Sequence, residues 1–217
     1  MTTTWTPARR TITALTLGKP DEIPTFELEF YLSQAFFGCS LREPRLERWN
    51  RDKYSAAEQE RMAIDLADRH ARVFGNMSAR EMGMKLSTDD EAKDDRPGLD
   101  YAIIPVNCAG WDEPEYPATR AFRKRLREHF GNTRLLGCHG DGTFGVPDGT
   151  SMFEFAYRLA DEPEAVLADA KRMAEHAIGL NHRQKENDID VSFLCSDYCY
   201  NSGPFLSPTM FDESSWP

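Results

Sequence analysis

Apolar residues recur along this chain at two spacings, about 3.6 residues in some stretches and about 2 in others, and the two kinds of stretch alternate. Pro7 to Leu17 suits an amphipathic helix with Ile12, Leu15 and Leu17 as its apolar positions, stopped by Gly18 and Pro20. Thr25 to Leu32 then alternates, with Phe26, Leu28 and Phe30 on one face and Glu27 and Glu29 on the other, which predicts a first strand. Ser55-Ala56-Ala57-Glu58 is a capping box, so a helix starts there, places Met62, Leu66 and Val73 on one side and ends near Gly75. Residues 87–96, S-T-D-D-E-A-K-D-D-R, are too polar to bury and predict an exposed loop.

The second half repeats the alternation. Tyr101 to Val106 predicts a buried strand ending at Asn107, and Pro117 to Phe130 a helix with Phe122, Leu126 and Phe130 on one stripe, closed by Gly131. Arg134 to Cys138 predicts a third strand. Two helices follow, Ser151 to Leu159 and Pro163 to Lys185, the second with Val166, Leu167, Ala170, Met173, Ala174 and Ala177 at core spacing. Ile189 to Cys195 is the fourth strand, after which Ser207-Pro208 reads as the N-cap and first residue of a further helix.

Strands separated by helices predict parallel pairing, and four such strands make about half of an eight-stranded (β/α) TIM-barrel-like fold. The expectation is one α/β domain over 1–217, incomplete on its C-terminal side. Its open sheet edges predict self-association or a partner that supplies the missing barrel half.

In a parallel α/β fold, polar residues at the C-terminal ends of strands face a common mouth. Here these are Glu29, Asn107, His139, Asp141, Ser196, Asp197, Tyr198 and Asn201, with Glu27 beside Glu29. Asp197 stands out, because a carboxylate at a strand end can orient a cationic or N–H-donating small molecule, the pyrroles of a tetrapyrrole among them. Its alternative is a turn-stabilising aspartate. Cys138-His139 and Cys195 with Cys199 carry metal-ligand side chains, but residues four apart on a strand are about 13 Å from each other, and no C-x-x-C pair occurs; no zinc site is expected. Gly140-Asp141-Gly142 lacks the Gly-Lys-Ser/Thr ending of a phosphate-binding loop.

Three stretches resemble the uroporphyrinogen decarboxylase superfamily, which includes cobalamin-dependent methyltransferases. Ser196-Asp197 followed by Asn201-Ser202-Gly203-Pro204-Phe205-Leu206-Ser207-Pro208 is similar to that family's acidic strand end and N-x-G-P-x-x-S-P pattern. L-G-K-P-D-E-I-P-T-F-E-L-E-F looks like its opening, and Gly145 to Glu164 like its central helix pair. The resemblance implies Ser196 and Asp197 as cleft residues and, more loosely, Tyr157, since the family places a tyrosine in its central helix; a core position is the alternative for Tyr157. True decarboxylases follow the first strand with an arginine-bearing R-Q-A-G-R-Y, whereas this chain reads Tyr31-Leu32-Ser33-Gln34-Ala35-Phe36-Phe37-Gly38. Without those arginines a substrate with many carboxylates lacks its counter-charges. The methyltransferase branch uses an H-x-C motif and a distant cysteine for zinc, and the chain contains no H-x-C. The resemblance therefore implies a protein related to corrinoid-linked methyl transfer, with the metal-binding half elsewhere and any corrinoid carried by a partner protein. A non-catalytic half barrel that binds a partner or ligand is the alternative, and uroporphyrinogen decarboxylation in tetrapyrrole synthesis the second.

Composition narrows the setting. A formal charge of -10 over 217 residues disfavours a nucleic-acid backbone, and Arg120, Arg123, Lys124, Arg125 and Arg127 read as a solvated helix face. No apolar run approaches the roughly 20 residues of a membrane span, so no membrane partner is expected. Five scattered cysteines behind an N-terminus without the layout of a secretory signal predict reduced thiols in the cytoplasm.

Overall fold

The structure, a computed structural model, describes residues 4–26, 33–76, 101–106, 112–140, 151–194, 199–200, 203–204 and 207–209. Helix α1 spans Pro7–Leu15, capped by the Thr6 hydroxyl, which accepts from the Arg9 backbone N–H. Its packed face is Pro7, Ala8 and Thr11, while Ile12, Leu15 and Leu17 are exposed, the reverse of the predicted stripe. Small side chains let the backbone come close, and the Ala8 N–H donates to the carbonyl of Thr133 at 3.0 Å.

Strand β1 is Thr25–Phe26, and the rest of the predicted first strand, 27–32, lies outside the described residues. A short helix α2 covers Ser33–Phe37. Two single 3₁₀ turns, Pro44–Leu46 and Arg51–Lys53, lead to helix α3, Ala56–Asn76. The capping box forms as expected: the Ser55 N–H donates to the Glu58 carboxylate at 2.8 Å and the Glu58 N–H to the Ser55 hydroxyl at 3.4 Å. Gly75 is still helical and does not take the left-handed cap predicted for it.

Strand β2, Tyr101–Pro105, is buried along its whole length, as a strand covered on both faces should be. Helix α4, Pro117–Phe130, ends at Gly131 (φ 54), whose N–H closes on the Arg127 carbonyl at 2.8 Å. Strand β3 is Leu135–His139, helices α5 and α6 are Ser151–Asp161 and Pro163–Glu186, and strand β4 is Val191–Phe193. Past α6, Asp188 takes φ 68, a region Asp tolerates better than most side chains, and Ile189 reaches back to the Gln184 carbonyl at 3.1 Å. Two-residue strands β5, Cys199–Tyr200, and β6, Gly203–Pro204, pair antiparallel. The sequence pattern did not anticipate this hairpin.

The main sheet has the order β1-β2-β3-β4. β1 runs parallel to β2, and β2 to β3 with Ile103 opposite Leu135. Asp190 N–H bonds the Leu136 carbonyl at 2.9 Å and Gly140 N–H the Phe193 carbonyl at 3.2 Å, so the register advances in the same sense along β3 and β4. The predicted α/β class with four parallel strands is what the chain adopts.

Two compact units divide the chain: Met1–Cys138 with Gln184–Val191, and His139–Arg183 with Ser192–Pro217. In the first, α3 packs on α4 and on β2. Ala63, Ala67 and Ala71 recur every fourth residue on the buried side of α3, beside Leu66, Val73 and Phe74, and α4 supplies Phe122, Leu126 and Phe130. Each large apolar side chain buried here contributes about 1.5–3 kcal/mol. His70 belongs to this layer, its ring edge-on to Phe122 at 5.0 Å. So does Arg123, which is 1% exposed and overturns its reading as part of a solvated face. It shares the packed side of α4 with its neighbour Phe122 and with Thr119 and Leu126, which lie one helical turn away in either direction. In the second unit, α6 buries Val166, Ala170, Ala177 and Leu180, whereas Met173 is exposed, and α5 buries Phe155.

Candidate functional site

The end of β3 and the start of the residues after it carry the best-defined polar arrangement in the second unit. Gly140 follows His139, and its carbonyl accepts from the Asn181 side-chain amide at 3.2 Å. The carbonyl oxygen of that amide accepts from the Ser192 hydroxyl at 2.9 Å. An acceptor on one side and a hydroxyl on the other fix which way the amide points. With Gly140 N–H on the Phe193 carbonyl, helix α6 and strand β4 together set the path of the backbone where β3 ends.

Glycine is required at this point. A Cβ on residue 140 would lie 1.8 Å from Asn181 Oδ1 and 2.9 Å from Ser192 Cβ, well inside contact distance. The close approach puts the half-buried His139 ring beside Phe193, with centroids 6.4 Å apart and planes at 65°. An imidazole held at a strand end against an aromatic ring can donate to, accept from or stack on a ligand.

Of the residues singled out from the sequence, His139 occupies a strand end as expected. Tyr157 lies on α5 and is 68% exposed, so the core reading does not hold for it. Glu27, Glu29, Asn107, Asp141, Ser196, Asp197, Tyr198 and Asn201 lie outside the described residues, as does the predicted loop 87–96. Asn181 and Ser192 were not anticipated. An asparagine directly after the apolar stretch Ala177 to Leu180, inside a predicted helix, was the available signal, since asparagine is a poor helix former unless it bonds something.

The thiols of Cys39 and Cys138 are free and buried. Burial pushes the Cys138 thiol up to about 11, although Arg123 acts in the opposite direction, and a thiol held neutral is a poor metal ligand. Among the described residues no three His, Cys, Asp or Glu side chains are grouped to hold a metal ion. No described helix is long and apolar enough to cross a membrane.

A groove of about 290 Å³ in the first unit is lined by Asp68, Ala71, Arg72, Gly75 and His129. It is open, and Asp68 is already bonded to Arg125 at 2.7 Å, so it offers little that is free to recognise a ligand.

Comparison with known proteins finds no matching family model, no matching curated protein and no matching solved structure.

Proposed function

We propose that this chain is a uroporphyrinogen-decarboxylase-like protein of the corrinoid-linked methyl-transfer kind, built as part of a (β/α) TIM-type barrel, in which strand ends hold a tetrapyrrole-like or other small ligand. The observation that supports this reading is the parallel order β1-β2-β3-β4, with helices between strands and a polar, glycine-dependent end on β3. The resemblance carried by Ser196-Asp197 and Asn201 to Pro208 supplies the ligand class.

In this reading the Asp197 carboxylate accepts N–H groups of the ligand, the Ser196 hydroxyl donates to it, and His139 stacks on or bonds its edge. Glu27 and Glu29 favour a donor-rich or cationic ligand over one crowded with carboxylates. A corrinoid, held by a partner protein, would supply the methyl-carrying chemistry. A cytoplasmic setting and self-association through open strand edges go with the same reading.

Titration of the purified chain with hydroxocobalamin, followed by its visible absorbance, tests the proposal. Saturable binding that weakens about tenfold or more in Asp197→Ala, with an unchanged circular-dichroism spectrum, is expected. Absence of binding, or equal binding by the variant, would refute the ligand class or the assignment of Asp197. Preference for uroporphyrin over the corrinoid would favour decarboxylation instead.

A further inference from the structure

Arg123 is the buried member of the α4 basic run. Arg120 bonds the Asn187 side chain, Arg125 bonds Asp68, and Arg127 bonds Asp190. Arg123 is 1% exposed, and its Nε, Nη1 and Nη2 have no hydrogen-bond partner among the described residues. A guanidinium carries five N–H donors and keeps its charge in proteins, so burying it bare is costly unless an anion meets it.

The groups whose charges act on it do not fill that need. Desolvation is the main influence on Arg123 and opposes its charge, while Cys138, Glu115 and Asp188 act in its favour. The Cys138 thiol is fully buried and neutral at physiological pH, its pKa pushed up to about 11. Glu115 and Asp188 sit at exposed positions, and neither hydrogen-bonds the guanidinium. The position is also directional. Helical side chains lean toward the N-terminus of their helix, and α4 runs back across the sheet, so Arg123 extends toward the end of β3, where Cys138 lies.

We infer that Arg123 anchors a buried anion subsite between α4 and β3 that takes the carboxylate of a small organic acid, or a carboxylate borne by a larger ligand. The planar fork matches a carboxylate with two parallel N–H···O bonds. One monovalent anion neutralises one guanidinium, whereas a phosphate dianion would carry excess negative charge into a layer lined by Phe122, Leu126 and Leu136. The inference does not depend on the tetrapyrrole reading.

Thermal melts of the full chain in acetate and in chloride, at equal ionic strength and pH, provide the test. Wild type should gain Tm saturably in acetate over chloride, by about 4 °C at roughly ten times the half-saturating concentration. Arg123→Met should lose the acetate response and melt in chloride no lower than wild type, because it removes an uncompensated charge. Arg123→Lys keeps the charge without the fork and should respond more weakly. Equal melting of wild type in the two salts, or an undiminished acetate response in Arg123→Met or Arg123→Lys, overturns the inference. Should Arg123→Met fail to fold, the wild-type comparison and the lysine variant decide it.

Discussion

Arg127 and Asp190 meet at 2.7 Å, and the same Asp190 oxygen accepts the backbone N–H of Leu136 at 2.8 Å. One carboxylate thus ties helix α4 to strand β3 and to the residues that open β4. Arg127 adds bonds to the carbonyls of Asp188 at 3.0 Å and Gly131 at 3.1 Å, so a single guanidinium satisfies several chain ends at once.

Asp190→Ala should therefore lower unfolding stability by about 2 kcal/mol, and Arg127→Ala by a similar amount. Both side chains are partly buried, which keeps the pair above the level of an exposed ion pair. Because the two residues share one bond, the double variant should lose about 1 kcal/mol less than the sum of the singles in urea denaturation. Strict additivity would mean that the two act separately.

The packing of Gly140 gives a second expectation. Gly140→Ala must displace the Asn181 amide, and with it the bond to Ser192, at a cost of about 1–3 kcal/mol. Asn181→Ala loses those bonds by itself but makes room for the new methyl group. Adding Gly140→Ala to Asn181→Ala should accordingly cost less than adding it to wild type, leaving only the 2.9 Å approach to Ser192 Cβ to relax. An equal Tm cost of Gly140→Ala in the two backgrounds would show that the Asn181 amide is not what requires glycine at 140.

Periodicity made the elements legible but not their burial. Phe122, Leu126 and Phe130 repeat at helical spacing and are large, so the packed side of α4 could be read directly, and the Ser55/Glu58 box marked the start of α3. In helix α1 hydrophobicity alone points to Ile12 and Leu15, whereas close backbone approach selects Ala8 and Thr11 for burial. The type of Arg123 suggests solvent, although its position, four residues after Thr119 and three before Leu126, lies on the packed stripe. The Asn181, Gly140 and Ser192 contact joins residues 41 and 11 apart in sequence, and no local pattern encodes it.

Acid should weaken the first unit at Glu43. Its carboxylate accepts two bonds from Arg45, at 2.6 and 2.8 Å, and one from Arg69 at 3.0 Å. The Arg45 bonds above all hold its pKa at about 2, against an ordinary 4.5. A carboxyl depressed by folding contributes stability that is complete above pH 4.5 and lost as pH falls toward 2. With Arg45 half exposed the loss should be about 2 kcal/mol. Glu43→Gln should be less stable than wild type at pH 6, and the two should converge below pH 3; a constant gap across that range would remove Glu43 as the cause.

His70 should act earlier in the same titration. Its ring is buried, with Nδ1 2.9 Å from the Leu66 carbonyl, to which the neutral ring donates. Desolvation lowers its pKa to about 4 from an ordinary 6.5, against the opposing effect of the Leu66 bond. Protonation is thus easier in the unfolded chain than in the folded one. The stability linked to this group is complete above pH 6.5 and declines as pH falls toward 4, by on the order of 2–3 kcal/mol in total. His70→Leu removes the titration but also the bond to Leu66, so it should start lower at pH 7 and then hold its stability between pH 6.5 and 4.5, where wild type declines. Glu43 stays ionised in the folded chain over that interval and protonates in the unfolded chain only toward its lower end, so Glu43→Gln should follow the wild-type slope down to about pH 5. If His70→Leu also keeps the wild-type slope, the early acid sensitivity lies in another group, and the buried ring does not set it.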